Sequence, residues 1–220
     1  MKPEFSFYLL GERTAVMQSK STQIDVNCQR TISGIAHQLK QMGTCIDIVP
    51  GMNNLSAIVD PQQQSASALL ETLQELAQST EPLEFQARQI HIPVSYGGDN
   101  GPDLELVARH CQLSPAEVIA HHSQAEYLVY FLGFQPGFAY LGGLMPQLHT
   151  PRRAEPRLQI AAGSVGIGGS QTGIYPAASP GGWQIIGRTK LRLFDPQQKQ
   201  PSLLQAGDIV RFVVERSDVE

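Results

Sequence analysis

Arg152, Arg153 and Arg157 fall inside one heptapeptide, PRRAEPR, in which Glu155 is the one carboxylate at hand. Guanidinium forks grip carboxylate or phosphate through paired hydrogen bonds, and prolines on both sides restrict the loop that carries them. The cluster is therefore expected to hold an anion; a solvated basic loop, or inter-subunit salt bridges with acidic residues elsewhere, is the competing reading. Close by runs AGSVGIGGSQTG, which looks like a phosphate loop but meets neither GxxxxGK[ST] nor GxGxxG, since Gln171 stands where the third glycine belongs. No helical pattern follows it to offer an N-terminus. Its residues are instead expected to serve a carbonyl or amide: Gln171 and Thr172 as donor and acceptor, Tyr175 beside them, and the Ser164–Gly169 backbone, Gly166 included, against an oxyanion. Core packing is the rival reading for these. Arg188, in IIGRT, joins the anion-binding set.

Other residues of the same stretch bear on the site. Phe134, Phe138 and Tyr140 alternate with Gly133 and Gly137, and Trp183, the sole tryptophan, follows Pro180-Gly181-Gly182. They form either the apolar wall of a pocket or a packed barrel end. His122 and Glu126 are four apart, as ligands on one helix face would be, but two ligands do not make a metal site and no third is placed by any pattern. No metal site is expected. His122 is kept as an acid–base candidate, because imidazole titrates near neutrality.

The elements that must position these residues read as follows. Phe5 to Gln18 holds two alternating segments, FSFYLL and TAVMQS, around Gly11-Glu12-Arg13, the pattern of a hairpin. Gln29 to Gln41 predicts a helix with Ile32, Ile35, Ala36 and Leu39 inward and Gly43 as its stop. Strands follow at Cys45–Val49 and Leu55–Val59, joined by PGMNN. Ser65–Gln78 is a second amphipathic helix burying Ala68, Leu69, Leu73, Leu76 and Ala77, and Phe85–Val94 returns as a strand. This order predicts a two-layer α+β domain with helices on one sheet face. After the turn cluster Tyr96–Asp103, Asp103 is expected to cap a helix over LELVARHC. Ser114-Pro115-Ala116-Glu117 is a capping box for another helix ending near His122. From Tyr127 onward, short strand patterns YLVYFLGF, LQIA, VGIG, WQIIG, LRLF and DIVRFVVE between turn signals favour a closed or nearly closed β-barrel. The division is drawn at residues 1–90 and 91–220.

Composition narrows the function. The chain has 220 residues, 41% hydrophobic and 16% charged, with a net charge of −4, which suits a globular protein and argues against a nucleic-acid surface. No segment reaches the roughly 18 apolar residues of a membrane span, and the amino-terminal apolar stretch is too short for a signal peptide, so a cytoplasmic protein is expected. Cys28, Cys45 and Cys111 are spaced as packed thiols, not as a disulfide or zinc framework.

The long motifs GFQPGFAYLGGL, PRRAEPR, AGSVGIGGSQTGIYPAASPGGWQIIGRT, IPVSYGGDNGPDLELVA and HHSQAEY together resemble the family of B subunits of bacterial 5-oxoprolinase. That family is similar in turn to the amino-terminal subunit of allophanate hydrolase and to a sporulation-kinase inhibitor. Lys190 departs from the proline expected after GRT. The resemblance implies an α+β chain with an amino-terminal ferredoxin-like domain and a carboxy-terminal cyclophilin-like β-barrel. It also implies a hydrolase component that acts with the A and C subunits of 5-oxoprolinase to open 5-oxoproline to glutamate with ATP and Mg²⁺. A lactam is a stable amide, so phosphorylation of its carbonyl oxygen by ATP is the expected route to attack by water. On that reading Arg152, Arg153 and Arg157 bind carboxylate or phosphate, with Arg153 needed for turnover, and His122 is the acid or base. A regulator of a histidine kinase and an allophanate hydrolase component remain as alternatives.

Overall fold

In a computed structural model, which describes residues 2–82 and 87–218, the segments FSFYLL and TAVMQS form an antiparallel pair, β1 (Phe5–Leu10) and β2 (Thr14–Ser19). The chain divides into two compact units, Met1–Phe85 and Gln86–Glu220. In the first, helix α1 (Val26–Met42) starts earlier than its apolar periodicity suggests, because the Asp25 side chain accepts the Cys28 N–H at 2.7 Å and caps it. Gly43, at φ 69°, ends it. Strands β3 (Asp47–Gly51) and β4 (Asn54–Ile58) turn at Met52-Asn53, and Asn53 takes the left-handed conformation that asparagine tolerates. Helix α2 (Ala66–Ser79) is capped by Ser65.

The sheet order is β1-β2-β4-β3 with every neighbouring pair antiparallel, so β2 and β3 run parallel with β4 inserted between them and α1 linking them. Ala15, Met17, Leu55 and Ala57 on one sheet face bury against Ile32, Ile35 and Leu39 of α1 and Leu69 and Leu73 of α2. Ala68 is exposed, and Ala66 takes the buried place expected of it, since 66, 69 and 73 share one helical stripe.

The strand expected over Phe85–Val94 does not return to this sheet. Residues 83–86 lie outside the described residues, and β5 (Gln89–Gly97) belongs to the second unit, so a boundary at 90/91 would cut it. Helices α3 (Leu104–Cys111) and α4 (Pro115–Gln124) follow, the latter with the full Ser114–Glu117 capping box. Then come β6 (Tyr127–Leu132), β7 (Ala139–Gly142), β8 (Arg157–Ile160), β9 (Ser164–Gly168), β10 (Gln171–Ile174), β11 (Ser179–Gly181), β12 (Gln184–Arg188) and β13 (Ile209–Asp218). Seven of these strands close a barrel in the order β10-β7-β6-β13-β5-β12-β9, while β8 and β11 pair as a separate ribbon. LRLF forms no strand: the closed barrel leaves it no barrel edge, and Phe194 makes a single bridge to Ser202.

The barrel interior is apolar, built from Ile92, Val94, Val129, Leu141, Val165, Ile167, Ile186 and Val210 among others, with one polar thread. His122, from α4, is fully buried and stacks on Phe212 with ring centroids 4.4 Å apart. The Thr172 hydroxyl donates to the Gly166 carbonyl at 3.0 Å, so at 2.8 Å it accepts from His122 Nε2–H. That leaves Nδ1 as acceptor for the Tyr96 hydroxyl, also at 2.8 Å. Burial holds the imidazole neutral and lowers its pKa to about 3, and it raises that of Tyr96. An unfolded histidine titrates near 6.5, so between about 6.5 and 3 the unfolded chain binds a proton that the fold refuses. Stability is complete above this window and falls as pH drops through it, by up to about 1.4 kcal/mol per pH unit from this group. Urea unfolding from pH 7 to pH 4 is expected to show a steeper loss for the wild type than for His122→Gln; parallel losses would contradict the assignment.

Candidate functional site

Five aromatic side chains meet at one side of the barrel. Phe138, Tyr175 and Trp183 are buried beside Ile160 and Ile185, with Tyr140 partly buried against them. Their rings meet edge to face: Phe138 is 5.1 Å from Tyr140, 5.7 Å from Tyr175 and 5.6 Å from Trp183. Phe134 closes the group from outside, 5.4 Å from Phe138, although it is 63% exposed and held at φ 68°, a conformation that bulky residues avoid. Phe134, Phe138, Tyr140 and Trp183, expected either to wall a pocket or to pack a barrel end, come together with Tyr175, and none of the five lines the cavities that hold the arginines. Glycines make this possible. A Cβ on Gly168 would sit 2.4 Å from the Trp183 indole nitrogen, and one on Gly181 would sit 2.5 Å from the Tyr175 hydroxyl. Burial raises the Tyr175 pKa, with a backbone hydrogen bond at Trp183 and the Arg152 charge opposing it.

The arginine loop is not the unpaired cluster expected of it. Asp103, 5% exposed, receives Arg157 through two bonds of 2.8 Å and Arg153 at 3.3 Å, and also accepts the Ile185 N–H at 2.6 Å. Its side chain makes no cap bond to α3, which corrects the expected N-cap role, and it supplies the carboxylate that the local sequence lacks. The hydrogen bonds that Arg157 donates to Asp103 hold its pKa above the ordinary value. Arg152 differs. It is exposed and makes no ion pair among the described residues, and its guanidinium carbon stands 5.8 Å over the centre of the Trp183 ring. Arg152 and Arg153 line a cavity of about 440 Å³ together with His110, Thr150, Glu155 and Gln184. The Gln184 amide donates to the Pro151 carbonyl at 3.0 Å and anchors the start of the loop. His110 and Gln184 escaped the sequence reading; Gln184 adjoins Trp183, but His110 sits on a helix with no local signal.

Several expected site residues lie elsewhere. His122 and Thr172 are both fully buried in the barrel, where the imidazole has no route to a substrate and the hydroxyl is spent on Gly166 and His122. Ser164 and Gly166 belong to β9, whose backbone is paired with β10 on one side and β12 on the other, so it has no free N–H groups for an oxyanion. Gln171 opens β10 at a hairpin turned by Gly169 and Ser170, and its Nε2 is buried without a partner. Arg188 lines a different cavity from Arg152 and Arg153. Glu126, considered with His122 for metal, forms an ion pair with Arg211. No three metal-ligating side chains gather among the described residues.

Residues 5–204 match the family described as carboxyltransferase domain, subdomain C and D. The chain is 52% identical over 212 residues to the B subunit of 5-oxoprolinase from Escherichia coli O157:H7, covering 96% of this chain and 97% of that protein. It is 50% identical over 202 residues to the protein of the same name from Haemophilus influenzae, covering 92% and 94%. A urea amidolyase from Lachancea kluyveri is 24% identical over 246 residues, 96% of this chain and 13% of that one. Among solved structures, TTHA0988 superposes with a TM-score of 0.79 at 34% identity, over 95% of this chain and 40% of that chain. With half its residues shared with such relatives over nearly their full length, the chain belongs to the family of 5-oxoprolinase B subunits, within the carboxyltransferase subdomain C and D group.

Proposed function

We propose that this chain is the B component of a cytoplasmic, ATP-driven 5-oxoprolinase that opens 5-oxo-L-proline to L-glutamate together with the A and C subunits. The observation that carries the reading is Arg152: the one arginine of its loop without a carboxylate partner among the described residues, poised over Trp183. 5-Oxoproline is a small, nearly flat ring bearing an ionised carboxylate. Arg152 binds and orients that carboxylate through its fork, and the lactam lies in the cavity that Arg152 shares with Leu106, His110, Thr150 and Gln184. Arg153 and Arg157, bound to Asp103, fix the loop and not the substrate. ATP supplies the phosphoryl group that, placed on the lactam oxygen, activates the lactam carbon toward water, and Mg²⁺ travels with its phosphates. The relatives are named as subunits, which supports placing turnover in an assembly and not in this chain alone. Those names do not favour the kinase-inhibitor alternative. No helix among the described residues is long and apolar enough to cross a membrane. We read the first unit as a ferredoxin-like plait in which β1 takes the edge place of the last strand, and the barrel as cyclophilin-like.

The test is glutamate release from 5-oxoproline with ATP and Mg²⁺, by the chain alone and mixed with the A and C subunits. Glutamate is expected only from the mixture; none from any folded combination would refute the function. Arg152→Ala is expected to leave assembly intact and lower kcat/KM by about 100-fold, chiefly through KM, since a charge-assisted fork contributes roughly 3 kcal/mol. Full activity in that variant would remove Arg152 from the site. Asp103→Asn is expected to lower the unfolding free energy by about 2 kcal/mol, because it leaves two half-buried guanidinium groups without a counter-charge; an unchanged urea midpoint would contradict this.

A further inference from the structure

A cavity of about 780 Å³ lies where β12, β13 and the loop after β12 meet, and it shares no lining residue with the Arg152 cavity. Arg188, Lys190, Arg192 and Arg216 wall it, with Glu215 as its one acid. Each arginine is held by its Nε: Arg188 donates to the Ala162 carbonyl at 2.9 Å, Arg192 to the Phe194 carbonyl at 3.2 Å, and Arg216 to Asp218 at 2.7 Å. Indexing a guanidinium through Nε fixes its plane. Among the described residues the terminal nitrogens of Arg188 and Arg216 then have no partner, so little freedom remains to be lost on binding an anion. Asp195 and Asp218 neutralise Arg192 and Arg216, whereas Arg188 and Lys190 have no carboxylate partner among the described residues. The floor is rigid: the Gly163 N–H donates to the Tyr175 carbonyl at 2.7 Å and its own carbonyl accepts from the Thr189 N–H at 2.9 Å.

Arg188 and Lys190, without a carboxylate partner among the described residues, and the ion-paired Arg192 and Arg216 beside them suit an anion that extends from one to the next, more than a single carboxylate or phosphate. We propose that this groove binds the polyphosphate chain of a nucleoside triphosphate, an assignment that rests on the ATP-driven reading above. The contact runs through strand-end and loop arginines, which is why no phosphate-loop or dinucleotide pattern accompanies it in the sequence. Leu191 and Pro176 are the apolar groups available to a base, so the phosphates dominate recognition.

Calorimetric titration of the purified full chain with ATP, inorganic tripolyphosphate, orthophosphate and adenosine tests this without turnover. ATP and tripolyphosphate are expected to bind with similar affinity, orthophosphate more weakly, and adenosine not at all. Arg188→Ala is expected to weaken tripolyphosphate at least tenfold. Lys190→Ala, which removes no internal bond, guards against misfolding and is expected to weaken it severalfold, while Arg152→Ala leaves it unchanged. No binding of tripolyphosphate up to about 10 mM, weaker than any specific site of this charge should be, would overturn the proposal, as would equal binding of adenosine or unchanged binding in both groove variants. Turnover separates the two readings: an active complex whose groove variants still bind tripolyphosphate sinks the groove alone, and a phosphate-binding groove in an inert complex sinks the function alone.

Discussion

Asp103 is the constraint on which the candidate site depends. Its nearly buried carboxylate receives two guanidinium groups and one backbone N–H, tying the start of α3, the arginine loop and β12 at a single point. A carboxylate so far out of water is sustained only when its lone pairs are met, and here the fork of Arg157, the reach of Arg153 and the amide of Ile185 meet them. The same contacts sort the arginines. Two become part of the scaffold, and Arg152 is left facing solvent over the indole.

The glycine-rich run serves this arrangement in a way its composition conceals. Its β9 segment is a barrel strand with both edges paired, so its backbone donors are consumed by the ladder. The absence of a side chain at Gly168 and Gly181 lets Trp183 and Tyr175 lie directly on the main chain. The glycines therefore seat the aromatic wall. Beneath it the barrel is held by the thread from Tyr96 through His122 and Thr172 to Gly166, a polar chain in which every ring and hydroxyl partner is satisfied.

Most elements were legible in the sequence because they rest on local physics. The Ser114–Glu117 capping box, Gly43 ending α1, and the alternation in β1 and β2 are decided within a few residues, and each stands where its pattern put it. What the sequence hid is long-range. Asp103 and Arg157 lie fifty-four positions apart, and nothing local distinguishes a helix-capping aspartate from one claimed by a distant arginine. His122 carries the chemistry of a proton shuttle, but only the closed barrel reveals that it is buried among aromatic rings. LRLF alternates like a strand but the closed barrel leaves it no barrel edge to join, and β5 has partners that a linear reading assigns to the wrong sheet. The packing of Phe134, Phe138 and Tyr140 is legible because glycine spacing and ring size act together within one segment, whereas Trp183 and Tyr175 join them from distant parts of the chain.

The division of labour among the arginines makes a claim about atoms, and a crystal structure of the assembled complex with bound 5-oxoproline tests it most directly. The substrate carboxylate is expected on the Arg152 guanidinium, the lactam ring in the cavity beside Thr150 and Gln184, and Asp103 still bound to Arg153 and Arg157. A carboxylate seated on Arg153 or Arg157 with Asp103 displaced, or a substrate remote from the Arg152 cavity, would contradict it.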